Sequence, residues 1–144
     1  MKILVSACLL GACCRYDGQG AVCRPVLELG QKHCLVPVCP EQLGGLPTPR
    51  DPAELRGGRV VTRGGADVTE AFLRGARQTL ELARTLGCTA AVLKERSPSC
   101  GSGQVYDGSF SGKLTAGSGL TAGLLEQNGI PVLGESALDR LGQL

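Results

Sequence analysis

Apolar residues gather in four runs of strand length: KILVSA (2–7), CLVPV (34–38), TAAVL (89–93) and IPVL (130–133). Runs this short, bounded by Gly, Pro or Asn, read as buried strands. A different period governs DVTEAFLRGARQTLELARTLG (67–87). There Phe72, Ala76, Leu80, Ala83 and Leu86 recur at helical spacing, while Arg74, Arg77, Glu81 and Arg84 fall on the other side. Asp67 is the expected N-cap, with Glu70 three residues on, and Gly87 is the expected stop. Shorter helices are expected near 25–32, at LTAGLLEQNG (120–129) and at SALDRLGQL (136–144).

Strands alternating with helices predict an α/β fold, a single Rossmann-like domain over residues 1–144 with a mostly parallel sheet. Pro37 inside the second run assigns that strand to an edge or a bulge, because proline donates nothing to a ladder. The Gly/Pro-rich segment 42–66 reads as an insertion after the second strand, with a short hairpin or edge strand at RVVT. YDG occurs at 16–18 and again at 106–108, which is turn chemistry rather than a repeat.

Composition narrows the picture. Only two Phe, two Tyr and no Trp are present, so the core must rest on Leu, Val and Ala, and 22 glycines imply many close backbone approaches. A net charge of +2 with dispersed Lys and Arg marks no nucleic-acid surface, so nucleic acid is not an expected partner. No apolar stretch is long enough to span a bilayer, and none suggests a membrane partner. The apolar part of the opening MKILVSAC is too short for a secretory or lipoprotein signal. The expected location is therefore the cytoplasm. Nothing in the pattern fixes an oligomeric state.

Eight cysteines remain, at 8, 13, 14, 23, 34, 39, 88 and 100. In a reducing cytoplasm they are not a disulfide framework. Cys8 follows the first strand, Cys39 the second and Cys100 the third, each leading into a Gly- or Pro-rich loop. In an open parallel sheet, sites form outside the carboxyl ends of the strands, so these three thiols are expected to converge. Soft sulfur suits zinc, with Cys13, Cys14 or His33 as a fourth ligand, or an iron–sulfur cluster with one iron left open. Isolated packing cysteines are the plain alternative. Cys88 is expected to face the core.

The stretches SACLLGACCRYDG, CPEQLGGLPTPR, KERSPSCGSG and LTAGLLEQNGIPVLGES follow one another along nearly the whole chain. In that order they resemble the motifs of the thiouracil desulfidase family, with Cys13 as an extra thiol before the usual Cys-Arg-Tyr-Asp-Gly. The resemblance implies a 4Fe–4S cluster held by three cysteines, Cys8, Cys39 and Cys100, although Cys14 also matches a family cysteine. It implies removal of sulfur from a small thiolated pyrimidine, such as 2-thiouracil, without electron transfer, giving the oxo base and hydrogen sulfide. Glu41 and Ser97 match the catalytic positions.

Each of these residues also has an ordinary reading. Glu41 after Pro40 is a common helix start, and Ser97 before proline is a common turn residue. Arg15 and Asp17 either orient the base or pair with each other, and Ser99 is taken with them as a substrate contact. GSGLTAG (117–123) either offers free N–H groups to a ligand or serves close packing. Desulfuration of thiouridine in tRNA and a non-enzymatic zinc module are the competing functions.

Overall fold

The computed structural model describes residues 1–144. Four strands, β1 (Lys2–Ser6), β2 (Cys34–Val38), β5 (Ala90–Leu93) and β8 (Val132–Gly134), form one parallel sheet in the order β2-β1-β5-β8. All four expected runs are strands, and Pro37 lies on an edge strand as its missing N–H requires. Two hairpins complete the strands: β3 (Ala53–Arg56) with β4 (Arg59–Thr62), and β6 (Gln104–Tyr106) with β7 (Leu114–Ala116). The first contains the RVVT run. The second has strands of three residues, and β7 is exposed throughout, so no alternating pattern announces it.

Side chains alternate across the sheet. Leu4, Ala91 and Leu93 face one layer with Leu80, Ala83, Ala122 and Leu125, contributed by α3 (Thr69–Leu86) and α4 (Leu120–Gln127). Ile3, Val5, Ala90 and Val92 face the other, with Val26 of α1 (Arg24–Leu29) and Leu141 near the C-terminus. Burying each such Leu, Val or Phe contributes about 1.5–3 kcal/mol before entropy is set against it.

Helix α3 buries Phe72, Ala76, Leu80 and Ala83 as its period predicts. Leu86 departs from the pattern and is exposed, because it sits in the last turn beyond the edge of the core. Val68, not Asp67, is the N-cap; Asp67 stands one residue earlier and its Oδ1 accepts the N–H of Thr69 at 2.9 Å. Gly87 closes the helix at φ 72°, a left-handed conformation that glycine adopts without strain.

The chain runs from β1 to β2 through α1 on one face and returns through α3 on the other face to β5, beyond β1. Strand order therefore reverses between β1 and β5. A crevice at such a switch point is the expected ligand site of an open α/β sheet. No helix is long and apolar enough to cross a membrane.

Candidate functional site

The loops after β1, β2 and β5 surround a cavity of about 510 Å³ at the carboxyl end of the sheet. Cys8, Cys39 and Cys100 line it, and so does Cys14. Cys8 and Cys14 belong to the apolar layer on one face of the sheet and Cys100 to the other, so the thiols meet beyond the sheet edge from both sides. The Cys39 thiol points to the carbonyl of Cys14 at 3.8 Å. Cys14, which also matches a family cysteine, joins the three expected thiols; its neighbour Cys13 is exposed and does not line the cavity.

Cys8, Cys14 and Cys100 are buried and Cys39 is half-buried. Burial pushes Cys14 and Cys100 up to about 12, and pushes Cys8 up as well, with Lys94 opposing. For Cys14 the neighbouring Cys39 adds to the effect. A hydrogen bond from the buried Ser6 hydroxyl acts the other way on Cys100, favouring its thiolate. Ser6 Oγ also accepts the N–H of Lys94 at 2.8 Å, which ties the end of β1 to the end of β5. As the last residue of a strand, Ser6 gave no sequence signal of this role.

Glu41 opens the short helix α2 (Pro40–Leu43), whose N-cap is Cys39. Gly44 and Gly75 let α2 approach α3 at backbone distance: a Cβ on Gly75 would stand 1.9 Å from the carbonyl oxygen of Pro40. The carboxylate of Glu41 is paired with Arg50, whose side chain is 9% exposed. Arg50 also reaches the carbonyls of Cys14 and Pro47 and the hydroxyl of Thr48. Nothing in PTPR (47–50) signalled this ion pair, which depends on the chain folding back nine residues later.

Ser97 lines the cavity, and its Oγ accepts the N–H groups of Ser99 and Cys100, each at 3.0 Å. It is both a turn residue and a cavity residue. The N–H groups of Leu120, Thr121 and Ala122 are occupied by the carbonyls of Pro98 and Ser99, so the start of α4 packs the Cys100 loop with these three donors engaged. A Cβ on Gly119 would stand 2.4 Å from Ser99.

Two expected substrate contacts fall elsewhere. Ser99 is 1% exposed and its hydroxyl bonds that of Thr121 at 2.8 Å, so it packs the loop against α4 and does not line the cavity. Asp17 accepts the N–H of Gln19 and lies 3.8 Å from Arg15, outside the cavity; it shapes the YDG turn. Arg15 does line the cavity. His33 stands at the start of β2 beside the N-terminal amine, at the opposite end of the sheet from Cys39.

The remaining walls come from Tyr16, Phe72, Tyr106 and the β3–β4 hairpin. The two hairpins are joined by Arg56, which donates to the Gly108 carbonyl, and by Glu54, which accepts the N–H groups of Gly108 and Phe110. Arg56 and Arg63 both stand over the Phe110 ring.

The model of the 2-thiouracil desulfurase family matches residues 3–137. The chain belongs to that family. YbbK of Bacillus subtilis (strain 168), described as uncharacterized, is 47% identical over 147 residues, 95% of this chain and 97% of its own. The solved structure of the 4Fe-4S-dependent thiouracil desulfidase TudS matches with a TM-score of 0.92 at 50% identity, over 99% of this chain and 95% of that one.

The donor set of this desulfurase-family site, four thiols on one cavity, is of the soft-sulfur type that an iron–sulfur cluster takes. No three Cys, His, Asp or Glu side chains come close enough to share one metal ion. In a cluster each thiolate takes its own iron, so the sulfurs stand further apart. Thiols held protonated by burial become good ligands once a cationic centre replaces their protons.

Proposed function

We propose that the protein is an iron–sulfur-dependent desulfidase that converts a small thiolated pyrimidine, such as 2-thiouracil, and water into the oxo base and hydrogen sulfide. The observation that carries this reading is the meeting of buried thiols, an anchored carboxylate and a hydroxyl on one cavity. The carbon keeps its oxidation state in that exchange, so no electron donor is required. Residues 1–144 act as one catalytic unit, and eight free cysteines suit a reducing cytoplasm.

Cys8, Cys39 and Cys100 would hold the cluster, with Cys14 alongside them. Bound there, a cluster with one open iron supplies a soft Lewis acid matched to a thiocarbonyl sulfur. Glu41 takes the proton of the attacking water and returns it to the departing sulfur, as a general base and then acid. Ser97, whose lone pairs already serve two backbone N–H groups, has its hydroxyl hydrogen free to donate to the substrate. Phe72 and Tyr106 offer apolar surface to the planar ring, and Arg15 a donor to its oxygen.

The test is anaerobic purification and cluster reconstitution, followed by iron and sulfide analysis and a 2-thiouracil assay. About four irons and four sulfides per chain are expected, with formation of uracil. Cys100→Ala should lose both the cluster and the activity. Stoichiometric zinc without sulfide after reconstitution would sink this reading.

A further inference from the structure

We infer that Arg50 is the positioning residue of this site: it locks one oxygen of Glu41, Oε2, and leaves Oε1 as the oxygen that meets the water or substrate proton. The inference rests on the desulfidase reading above. It adds a residue that composition and motif spacing left without a role.

The hydrogen-bond inventory of Arg50 is complete. Its Nε donates to Glu41 Oε2 at 2.8 Å, and Nη2 donates to the same oxygen. Nη2 also donates to the Cys14 carbonyl at 3.0 Å. Nη1 donates to the Pro47 carbonyl at 3.1 Å and to Thr48 Oγ1 at 3.0 Å. A guanidinium carries five N–H donors, and all five are engaged. Arg50 therefore has none left for a substrate, and its influence on the reaction passes through Glu41.

The two carboxylate oxygens are unequal. Both guanidinium contacts go to Oε2, whereas Oε1 has no hydrogen-bond partner. No buried side-chain oxygen or nitrogen in the protein lacks a partner, so Oε1 is not buried; Glu41 lines the cavity, and Oε1 is its accessible oxygen. The planar fork of Arg50 sets the rotation of the carboxylate and thereby the direction of Oε1. Lysine would keep the charge but not this geometry, since an ammonium is a rotating point donor. The same guanidinium ties the loop after β1, through Cys14, to the helix that follows Cys39.

The experiment compares reconstituted wild type, Arg50→Lys, Glu41→Gln and the double variant, reading kcat and KM for 2-thiouracil together with iron and sulfide per chain. A second readout needs no turnover: the melting temperatures of the same four proteins, cluster-free, form a double-mutant cycle for the pair. Arg50→Lys should lower kcat by about 30- to 100-fold with KM changed less than about twofold, the loss expected when a reacting group is misaligned by about an ångström. Iron content should equal that of wild type. The double variant should be no slower than Glu41→Gln alone, because Arg50 has no second route to the chemistry.

Losses that multiply in the double variant would overturn the inference, as would wild-type kcat in Arg50→Lys. Loss of iron from that variant would also overturn it, by making Arg50 a support of the Cys14 loop instead. Additive melting shifts would deny the coupling itself. An inactive reconstituted wild type is a distinct failure, that of the desulfidase reading. Should Arg50→Lys not fold, Thr48→Ala removes one anchor of the guanidinium; kcat should then fall about 3- to 10-fold, the worth of one hydrogen bond. Unchanged kcat there would count against the clamp.

Discussion

The loops after β2 and β5 bring Glu41 and Ser97 to the same cavity, and they hold them by opposite means. Ser97 is held from within: its own oxygen accepts the N–H groups two and three residues on, and the turn that places it also places Cys100. Glu41 is held from outside, by a guanidinium nine residues later that is itself pinned by three further acceptors. A self-closed turn couples the hydroxyl to Cys100, so disturbing one disturbs the other. The clamped carboxylate is tied to Cys39 less directly: its anchor does not touch that thiol and meets it only through the Cys14 carbonyl, to which both donate.

That difference sorts the effects of substitution. Glu41→Gln should cut kcat by about 10²- to 10⁴-fold, the range for a lost general base, with full iron content. Ser97→Ala should cut kcat by about tenfold, one or two hydrogen bonds' worth, and should lower iron content as well, because the Cys100 N–H loses its acceptor. The measurement is kcat against iron per chain for both variants. Full iron and wild-type turnover in Ser97→Ala would remove Ser97 from the catalytic group and leave it a turn residue.

The same contrast explains what was readable along the chain. The four strands, the long helix and the convergence of Cys8, Cys39 and Cys100 all follow from period and connectivity, which are properties of short windows. Ser97 sits in the loop of the cysteine it supports; KERSPSCGSG read locally marks it as a turn residue, and only the family resemblance singled it out. Arg50 and Ser6 act across the fold, on Glu41 and on Cys100 respectively, and no local pattern encodes such a contact. Ser99 and Asp17 lie off the cavity for the reverse reason. Proximity in sequence suggested the site, but the tight packing of α4 and the geometry of the YDG turn consumed their side chains. The β6–β7 hairpin escaped notice because three-residue exposed strands carry no periodicity.

Two glycines extend the comparison to packing. Gly75 lets α3 meet the Pro40 carbonyl next to Glu41, whereas Gly119 lets α4 meet Ser99 next to Cys100. Alanine at either position should cost about 1–3 kcal/mol of stability through overpacking, measured by urea unfolding. Their functional signatures should diverge. Gly75→Ala should lower kcat while iron stays bound, and Gly119→Ala should lower iron content. Identical signatures would mean that the two loops move as one body.

Asp67 combines both kinds of restraint on the surface, away from the cavity, and gives the smallest effect. Hydrogen bonds from the Thr69 hydroxyl and backbone N–H, and then from Arg59, hold its carboxyl down at about 2. A carboxyl lowered in the folded state stabilises the protein above its ordinary value of 3.8 and loses that contribution as pH falls toward about 2. Asp67→Asn should therefore melt slightly below wild type at neutral pH, and the gap should close between pH 4 and 2, within the ordinary-to-folded window of this carboxyl. Iron content and kcat at neutral pH should not change, since Asp67 restrains the start of α3 and the start of β4 without reaching the cavity. A gap that stays constant through acid would show that the ionised carboxylate contributes nothing beyond what the amide supplies. The helix start would then rest on a neutral side-chain oxygen accepting a local N–H, the way Ser97 holds its loop, and Arg59 would drop out as a counterpart to Arg50.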